Sequence, residues 1–205
     1  MKVGILGGSF NPPHLGHIQL CEYAKEMAGL DRILLIPTGD HPFKRRTGVS
    51  REDRLEMTKL AVENLENYDV SDIEIHREGL SYTYDTVMEL KKRSGDDYYF
   101  ISGSDLLFQF TWWKNFRGLA GVIDFICLPR QGVDNKGLLR EAEKLNRTFD
   151  AAIQLLESQQ PDDISSSIIR QKAQTGETFF QLLDPEVYAY IREHKLYQGD
   201  ENEES

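Results

Sequence analysis

Short, uninterrupted apolar runs recur along this 205-residue chain and alternate with segments whose apolar residues follow helical spacing. Such runs are typical of strands that are buried on both faces of a parallel sheet. The alternation predicts the α/β class: a doubly wound, mostly parallel, Rossmann-like sheet with helices on both faces and a C-terminal helical segment. We predict five strands, at Met1–Leu6, Arg32–Pro37, Val70–His76, Tyr98–Ile101 and Gly121–Arg130.

Helix boundaries carry local signals. Leu15–Met27 is predicted to be the first helix, and Gly29 to end it. Ser50 is predicted to cap the next helix. A third helix is predicted to begin with Ser81 or Thr83 as its cap. Residues 133–157 give the weakest pattern, in which a helix is followed at 151–156 by a short strand or a helix.

Length and charge limit the possible functions. The chain predicts one domain over residues 1–197, with a helical part at about 164–197 and an acidic, mobile tail at 198–205. The formal net charge is −10. A non-specific nucleic-acid binder needs a basic surface to displace counterions, so this charge argues against such a partner. A small anionic ligand needs only a few local cations and backbone donors.

We expect a cytoplasmic protein with no membrane partner. No apolar run approaches the roughly 18–20 residues that cross a bilayer. The N-terminus has no signal-peptide pattern. Cys21 and Cys127 are far apart in apolar surroundings, which predicts reduced, buried thiols.

The stretch Gly7–His17 has the composition of a phosphate site. It follows the first strand and holds two glycines, a serine and two histidines. Glycines let the backbone approach a ligand closely, and the following helix would offer free N–H groups and the positive end of its dipole. His14 and His17 are three residues apart and share one face of the first helical turn. The alternative is a purely structural strand, turn and helix.

Three further segments have features suited to anions. Asp40–Arg46 follows the second strand and holds several basic residues, Ser102–Asp105 follows the fourth strand, and Ser165–Arg170 opens a helix with three serines. A solvated loop, a core aromatic cluster and a serine-capped surface helix are the respective structural alternatives. In a doubly wound sheet all these segments share one edge. They therefore predict a polyphosphate site that lacks a Walker loop.

These motifs resemble those of bacterial nicotinate-mononucleotide adenylyltransferases, a family of the nucleotidyltransferase superfamily with a His-x-Gly-His signature. The resemblance covers nearly the whole chain, although residues 133–157 match poorly. The Ser-Tyr-Thr-x-Asp-Thr stretch, Ser81–Thr86, points to this member of the superfamily. The other matching stretches are His14–His17, His41–Lys44, Arg54–Met57, Arg77–Leu80, Gly103–Asp105 with Trp113, Ile164–Arg170, Tyr190–Ile191 and Leu196–Tyr197.

The resemblance implies transfer of the adenylyl group of ATP to nicotinate mononucleotide. Catalytic roles would fall to His14 and His17 at the α- and β-phosphates, and to Lys44 and Arg170 at the leaving pyrophosphate. The histidines would have to donate hydrogen bonds, so their protonation would matter. The implied ATP-binding residues are Gly7, Gly8, Ser9, Phe10, Gly16, Gly103, Asp105, Ile164, Ser165 and Ser166. The implied acceptor-binding residues are Tyr82, Thr83, Tyr84 and Trp113.

The resemblance also implies Mg²⁺ bound with ATP, held by phosphates and water. The sequence offers no carboxylate cluster for a dedicated metal site. A homo-oligomer is possible. Two other functions stay open on the sequence: an adenylyl- or cytidylyltransferase with another phosphate acceptor such as phosphopantetheine, and a non-catalytic nucleotide sensor.

Overall fold

The computed structural model describes residues 1–39, 49–129, 134–156 and 164–198. One sheet runs through it in the order β3-β2-β1-β4-β5-β6, and every neighbouring pair is parallel. The predicted α/β, Rossmann-like class is confirmed. The order reverses between β1 and β4, where sheets of this kind bind ligands. The strands are β1 (Lys2–Gly8), β2 (Arg32–Pro37), β3 (Tyr68–Val70), β4 (Asp97–Gly103), β5 (Asp124–Leu128) and β6 (Ile153–Leu155).

Seven helices and two 3₁₀ segments connect or follow these strands in the described residues. The 3₁₀ segments are Ser104–Trp112 and Phe180–Leu182. Within the described ranges, no helix is both long and apolar enough to cross a membrane. The helices are α1 (Leu15–Ala28), α2 (Arg51–Leu60), α3 (Thr83–Arg93), α4 (Phe116–Ala120), α5 (Asn135–Phe149), α6 (Ser166–Thr175) and α7 (Pro185–Glu193).

Each face of the sheet has its own hydrophobic core. Side chains alternate along β2, so that Ile33 and Leu35 join one core while Ile36 joins the other. Helices α3, α4 and α5 cover the face of Ile36, and α1, α2, α6 and α7 cover the opposite face. Full burial of one such side chain contributes about 1.5–3 kcal/mol, so these two cores fix the sheet between its helix layers.

Several boundaries of strands and helices lie where local sequence signals predicted them. The β2 limits agree with the prediction, and Gly29 ends α1 with a φ of 61°. The hydroxyl of Ser50 caps α2 by accepting the backbone N–H of Asp53 at 2.9 Å. The start of the third helix differs from the prediction. Its N-cap residue is Tyr82, and no side chain caps the helix.

Three predictions about the strands need correction. Gly7 and Gly8 belong to β1, paired with Ile36 and Pro37, and not to a turn after it. The third strand is Tyr68–Val70, and residues 73–75 of the predicted segment Val70–His76 form a turn. A sixth strand, β6, lies beside β5 in the part of the chain with the weakest pattern. Residues 199–205 of the predicted acidic tail lie outside the described residues.

The end of β2 approaches the loop after β3 very closely. A Cβ placed on Gly39 would lie 2.2 Å from the carbonyl oxygen of Glu74 and 3.1 Å from its carbonyl carbon. These are backbone atoms, so they cannot turn away as the end of a side chain can. Position 39 therefore requires glycine for space.

We predict that Gly39→Ala lowers the free energy of unfolding by about 1–3 kcal/mol, because the new methyl group forces the two segments apart. Gly95→Ala is the matched control, since nothing lies within 4 Å of a Cβ at that position. Urea unfolding of both variants measures the difference. Equal stability of the two variants would show that the loop after β3 can move aside without a cost in free energy.

Candidate active site

The β1–α1 loop, residues 9–14, lies at the switch point of the sheet. The backbone turns at Phe10, which has a positive φ of 44°, whereas Gly7 and Gly8 have extended strand geometry. Phe10 is only 1% exposed and its side chain belongs to the hydrophobic core, so it anchors the loop from within. Gly103, at the end of the neighbouring strand β4, leads into the 3₁₀ segment that begins with the buried Ser104 and the exposed Asp105.

His14 and His17 lie against each other at the N-terminus of α1. Their ring centroids are 3.7 Å apart, and the Phe10 ring meets His17 edge-on at 5.0 Å. The backbone N–H of His14 donates to Nδ1 of His17 at 3.1 Å. A ring nitrogen that accepts a hydrogen bond carries no proton, so the neutral His17 carries its proton on Nε2. In this tautomer the ring of His17 can donate a hydrogen bond from Nε2.

Gly16 leaves space for this pair of rings. A Cβ at position 16 would lie 3.1 Å from Nδ1 of His14 and 3.5 Å from Cβ of Ile164. Only the distance to the His14 ring is tighter than an ordinary contact, so the glycine chiefly leaves space for that ring. Ile164 also lies close to this glycine.

The start of α6 docks onto the β1–α1 loop. Ser166 donates its hydroxyl to the carbonyl of Pro12 at 2.8 Å. Arg170 donates from Nη1 to the carbonyl of Asn11 at 2.8 Å and from Nη2 to Ser167 at 3.1 Å. Ser165 caps the helix by accepting the N–H of Ile168. The structure therefore brings Arg170 and the serine run to the histidine loop, across more than 150 residues of sequence.

Arg54 is a buried cation that sequence reasoning gave no role at the site. Its Nη1 donates to the carbonyl of Ser9 and its Nη2 to the carbonyl of Thr38, both at 2.7 Å. These carbonyls lie just beyond the ends of β1 and β2. The guanidinium thus joins the two strand ends and places a positive charge beside them.

Tyr197, close to the end of the described chain, also contacts the loop. Its hydroxyl donates to Oδ1 of the buried Asn11 at 2.5 Å. Burial raises the pKa of the Tyr197 hydroxyl above its usual range, so the group stays protonated and remains a donor at neutral pH. Nδ2 of Asn11 is a buried donor with no hydrogen-bond partner among the described residues. Asn11 lies between Phe10 and Pro12 inside the stretch Gly7–His17, but the sequence analysis gave its side chain no role.

A second group of residues surrounds the start of α3. Tyr82 and Thr83 stand at its N-terminus, and Tyr84 and Trp113 both pack at the edge of the same core. The ammonium group of Lys114 lies 4.4 Å from the centroid of the Tyr82 ring and 2.9 Å from Oδ2 of Asp85. Lys114 thereby joins the Trp113 loop to the first turn of α3, a contact that the sequence did not reveal.

Lys44, predicted to act at the leaving group, lies outside the described residues, as does the rest of the basic loop Asp40–Arg46. In the described part of the chain, no three His, Cys, Asp or Glu side chains are grouped so that they could hold a metal ion. The remaining arrangement combines histidine donors, a helix N-terminus and an arginine, which suits the binding of phosphate groups.

Comparison with known proteins identifies the family of the chain. Residues 5–172 match the model of the cytidylyltransferase-like family. The probable nicotinate-nucleotide adenylyltransferase of Carboxydothermus hydrogenoformans is 38% identical over 96% of this chain and 98% of its own. The probable nicotinate-nucleotide adenylyltransferase of Oceanobacillus iheyensis is 36% identical over 96% of both chains.

Solved structures share the fold. The Plasmodium falciparum nicotinic acid mononucleotide adenylyltransferase, complexed with NaAD, superimposes with a TM-score of 0.78 at 21% identity over 96% of this chain and 97% of its own. A complex of the same enzyme with APC gives a TM-score of 0.75 at 20% identity over 96% of both chains.

We predict that Tyr197→Phe lowers the free energy of unfolding by about 1–3 kcal/mol, because it leaves the buried Oδ1 of Asn11 without its donor. Tyr188→Phe is the control, since the Tyr188 ring packs on Phe179 and Phe180 and its hydroxyl makes no hydrogen bond among the described residues. Urea unfolding should leave the control within about 0.5 kcal/mol of the unaltered protein. Equal stability of the two variants would mean that the Asn11 contact contributes nothing to the fold.

Proposed function

Because the chain belongs to the cytidylyltransferase-like family and, within it, to the nicotinate-nucleotide adenylyltransferases, we propose that it transfers the adenylyl group of ATP to nicotinate mononucleotide. The products are nicotinate adenine dinucleotide and pyrophosphate. This reaction belongs to NAD biosynthesis.

One observation carries the assignment of the reacting centre. The histidine pair at the N-terminus of α1 and Arg170 of α6 meet on the same loop at the switch point of the sheet. Hydrogen-bond donors on both sides of one loop suit a triphosphate. A non-catalytic sensor would not need a histidine that is oriented as a donor.

The reaction joins two phosphates. An oxygen of the acceptor's 5′-phosphate attacks the α-phosphorus of ATP in line, and the bond from that phosphorus to the bridging oxygen breaks as pyrophosphate leaves. The protein has to position the groups and stabilise charge, since no protein nucleophile is needed. We assign to Nε2–H of His17, with His14 and the positive end of the α1 dipole, the developing charge at the α- and β-phosphates.

The other groups at the switch point bind the rest of ATP. We assign Arg170 and, outside the described residues, Lys44 to the β- and γ-phosphates and the leaving pyrophosphate. The adenosine and phosphate pocket is assigned to Gly7–Phe10, Gly16, Gly103, Asp105 and Ile164–Ser166. In Ser165 and Ser166 the hydroxyls already bond to protein groups, which leaves the start of α6 to act chiefly through its backbone.

The pyridine ring of the acceptor is assigned to the start of α3. Tyr82, Thr83 and Tyr84 present the N-terminus of a helix, whose positive dipole end suits a carboxylate on the ring. Trp113 is half-buried and could stack on the ring from the neighbouring loop. This assignment supports a nicotinate acceptor.

ATP would arrive as its Mg²⁺ complex, with the ion carried by phosphates and water and with no residue of this chain assigned to it. We further propose a cytoplasmic location, which the free thiols of Cys21 and Cys127 support. One domain over residues 1–197 would hold the complete site.

The first test is an acceptor panel. We expect the purified protein with ATP and Mg²⁺ to release pyrophosphate in the presence of nicotinate mononucleotide, and far more slowly with nicotinamide mononucleotide or phosphopantetheine. A coupled pyrophosphate assay and chromatography of the dinucleotide measure this. Release with phosphopantetheine alone would identify another transferase, and the absence of pyrophosphate with every acceptor would indicate a sensor.

The second test is His17→Ala. We predict that kcat falls at least about 100-fold, because one donor that acts in the transition state is lost. Initial rates at saturating substrates measure the effect, and His194→Ala, at the end of α7, is the control. A folded His17→Ala protein with normal turnover would remove His17 from the mechanism.

A further inference from the structure

Glu74 is a buried carboxylate with no part in the transfer reaction. It lies in the turn after β3 and is only 7% exposed. Its Oε1 accepts the hydroxyl of Thr86 at 2.7 Å. A buried charge is costly unless it is paired and hydrogen-bonded, so its partners are a necessary part of the structure around it.

Thr86 connects this carboxylate to a second charge. Nη1 of Arg77 donates to the Thr86 hydroxyl at 2.6 Å, while Nη2 donates to Oε2 of Glu89 at 2.9 Å. A hydroxyl has one proton to donate and can accept as well, so Thr86 uses both capacities here. We call these four residues the Glu74 cluster: Glu74, Arg77, Thr86 and Glu89.

Burial raises the pKa of Glu74, and the Thr86 hydroxyl and the Arg77 guanidinium oppose that rise. The Ser81 hydroxyl and the backbone N–H of Gly39 also lower the pKa of Glu74, so Thr86 and Arg77 supply part of the stabilisation of its charge. The same residue touches the end of β2 through its backbone carbonyl, which lies against Gly39. The cluster thus links three segments: the end of β2, the loop after β3 and the first turns of α3.

The cluster contacts α3 close to the residues that we assign to the acceptor. Thr86 is 2% exposed and follows Thr83 by three residues, so the two lie about one turn apart on the same side of the helix. No side chain caps the start of α3. The other contact there, Lys114 with Asp85, is an exposed ion pair of a kind that contributes about 0–1 kcal/mol. The buried hydrogen bond between Thr86 and Glu74 is the stronger constraint.

We propose that Glu74, acting through Thr86, is a positioning residue that holds the first turn of α3 in the orientation that binds the pyridine ring. The inference rests on the proposed function, since that function assigns Tyr82, Thr83 and Tyr84 to the acceptor. The groups assigned to the triphosphate stand on other elements, namely the β1–α1 loop and α6. Loss of the cluster should therefore weaken binding of the acceptor and leave binding of ATP unchanged.

The test compares two substitutions at one position. Thr86→Val keeps the shape of the side chain and removes both hydrogen bonds, whereas Thr86→Ser keeps the hydroxyl. We expect Thr86→Val to bind nicotinate mononucleotide about 10-fold more weakly or worse, as for lost hydrogen bonds to charged groups, with ATP affinity within about twofold. Thr86→Ser should stay within about threefold of the unaltered enzyme for both ligands. Isothermal titration with each ligand, and the two KM values, give the readout.

Two results would overturn the assignment: unchanged acceptor affinity in Thr86→Val, or an equal loss for acceptor and ATP. Failure of Thr86→Ser to restore acceptor affinity would also count against it. If Thr86→Val does not fold, Glu74→Gln keeps the shape and removes the charge, and the same selective loss is expected. If the unaltered protein binds ATP but not nicotinate mononucleotide, the proposed function fails, and this assignment falls with it.

Discussion

The carbonyl groups of Asn11 and Pro12 accept hydrogen bonds that join the β1–α1 loop to the C-terminal segment. They lie at the edge of the sheet, just beyond β1, where no neighbouring strand can pair with them. Arg170 and Ser166 of α6 donate to them, and Tyr197 donates to the side chain of Asn11. Buried backbone carbonyls need such partners, because an unpaired one costs free energy comparable to a lost hydrogen bond. The C-terminal segment thus completes a loop that the first strand alone cannot stabilise.

In the proposed reaction the same contacts also orient the histidine pair. The loop holds His14 so that its backbone N–H meets Nδ1 of His17, and this fixes the position of the proton on the second ring. A donor oriented before the substrate arrives has no reorientation cost during the reaction. Support from the C-terminal segment and orientation of the histidine pair are therefore parts of one arrangement.

The elements that local chemistry determines could be predicted from the sequence. The glycine after α1, the serine before α2 and the apolar run of β2 each act within a few residues, and each was located correctly. The paired His14 and His17, and the serine run with Arg170, were also expected at one sheet edge, since parallel strands align their carboxyl ends. The parallel direction of the strands was sufficient to predict these placements.

Features that depend on long-range packing were missed. Gly7 and Gly8 were expected to form a turn. Pairing with β2 instead extends β1 through both glycines, and the backbone turns at Phe10. The third strand was placed too late, because Ile73 and Ile75 are buried in a turn and not in a strand. Asn11, Arg54 and Tyr197 lie in stretches that the sequence analysis noted, but nothing in those stretches predicted the contacts of their side chains. Their contacts arise only once segments 16 to 186 residues apart in sequence meet.

Two sets of supports meet at the end of β2. Arg54 binds the carbonyl of Thr38 and that of Ser9 in the β1–α1 loop, while Gly39 lies against the backbone of Glu74. One set serves the loop with the histidine pair, and the other serves the start of α3. Because both begin at adjacent residues of one strand end, a shift of that end would move the two regions together. In the proposed reaction these two regions hold the two substrates, so a fixed strand end would also fix the separation of the reacting phosphates, and in-line attack tolerates little misplacement.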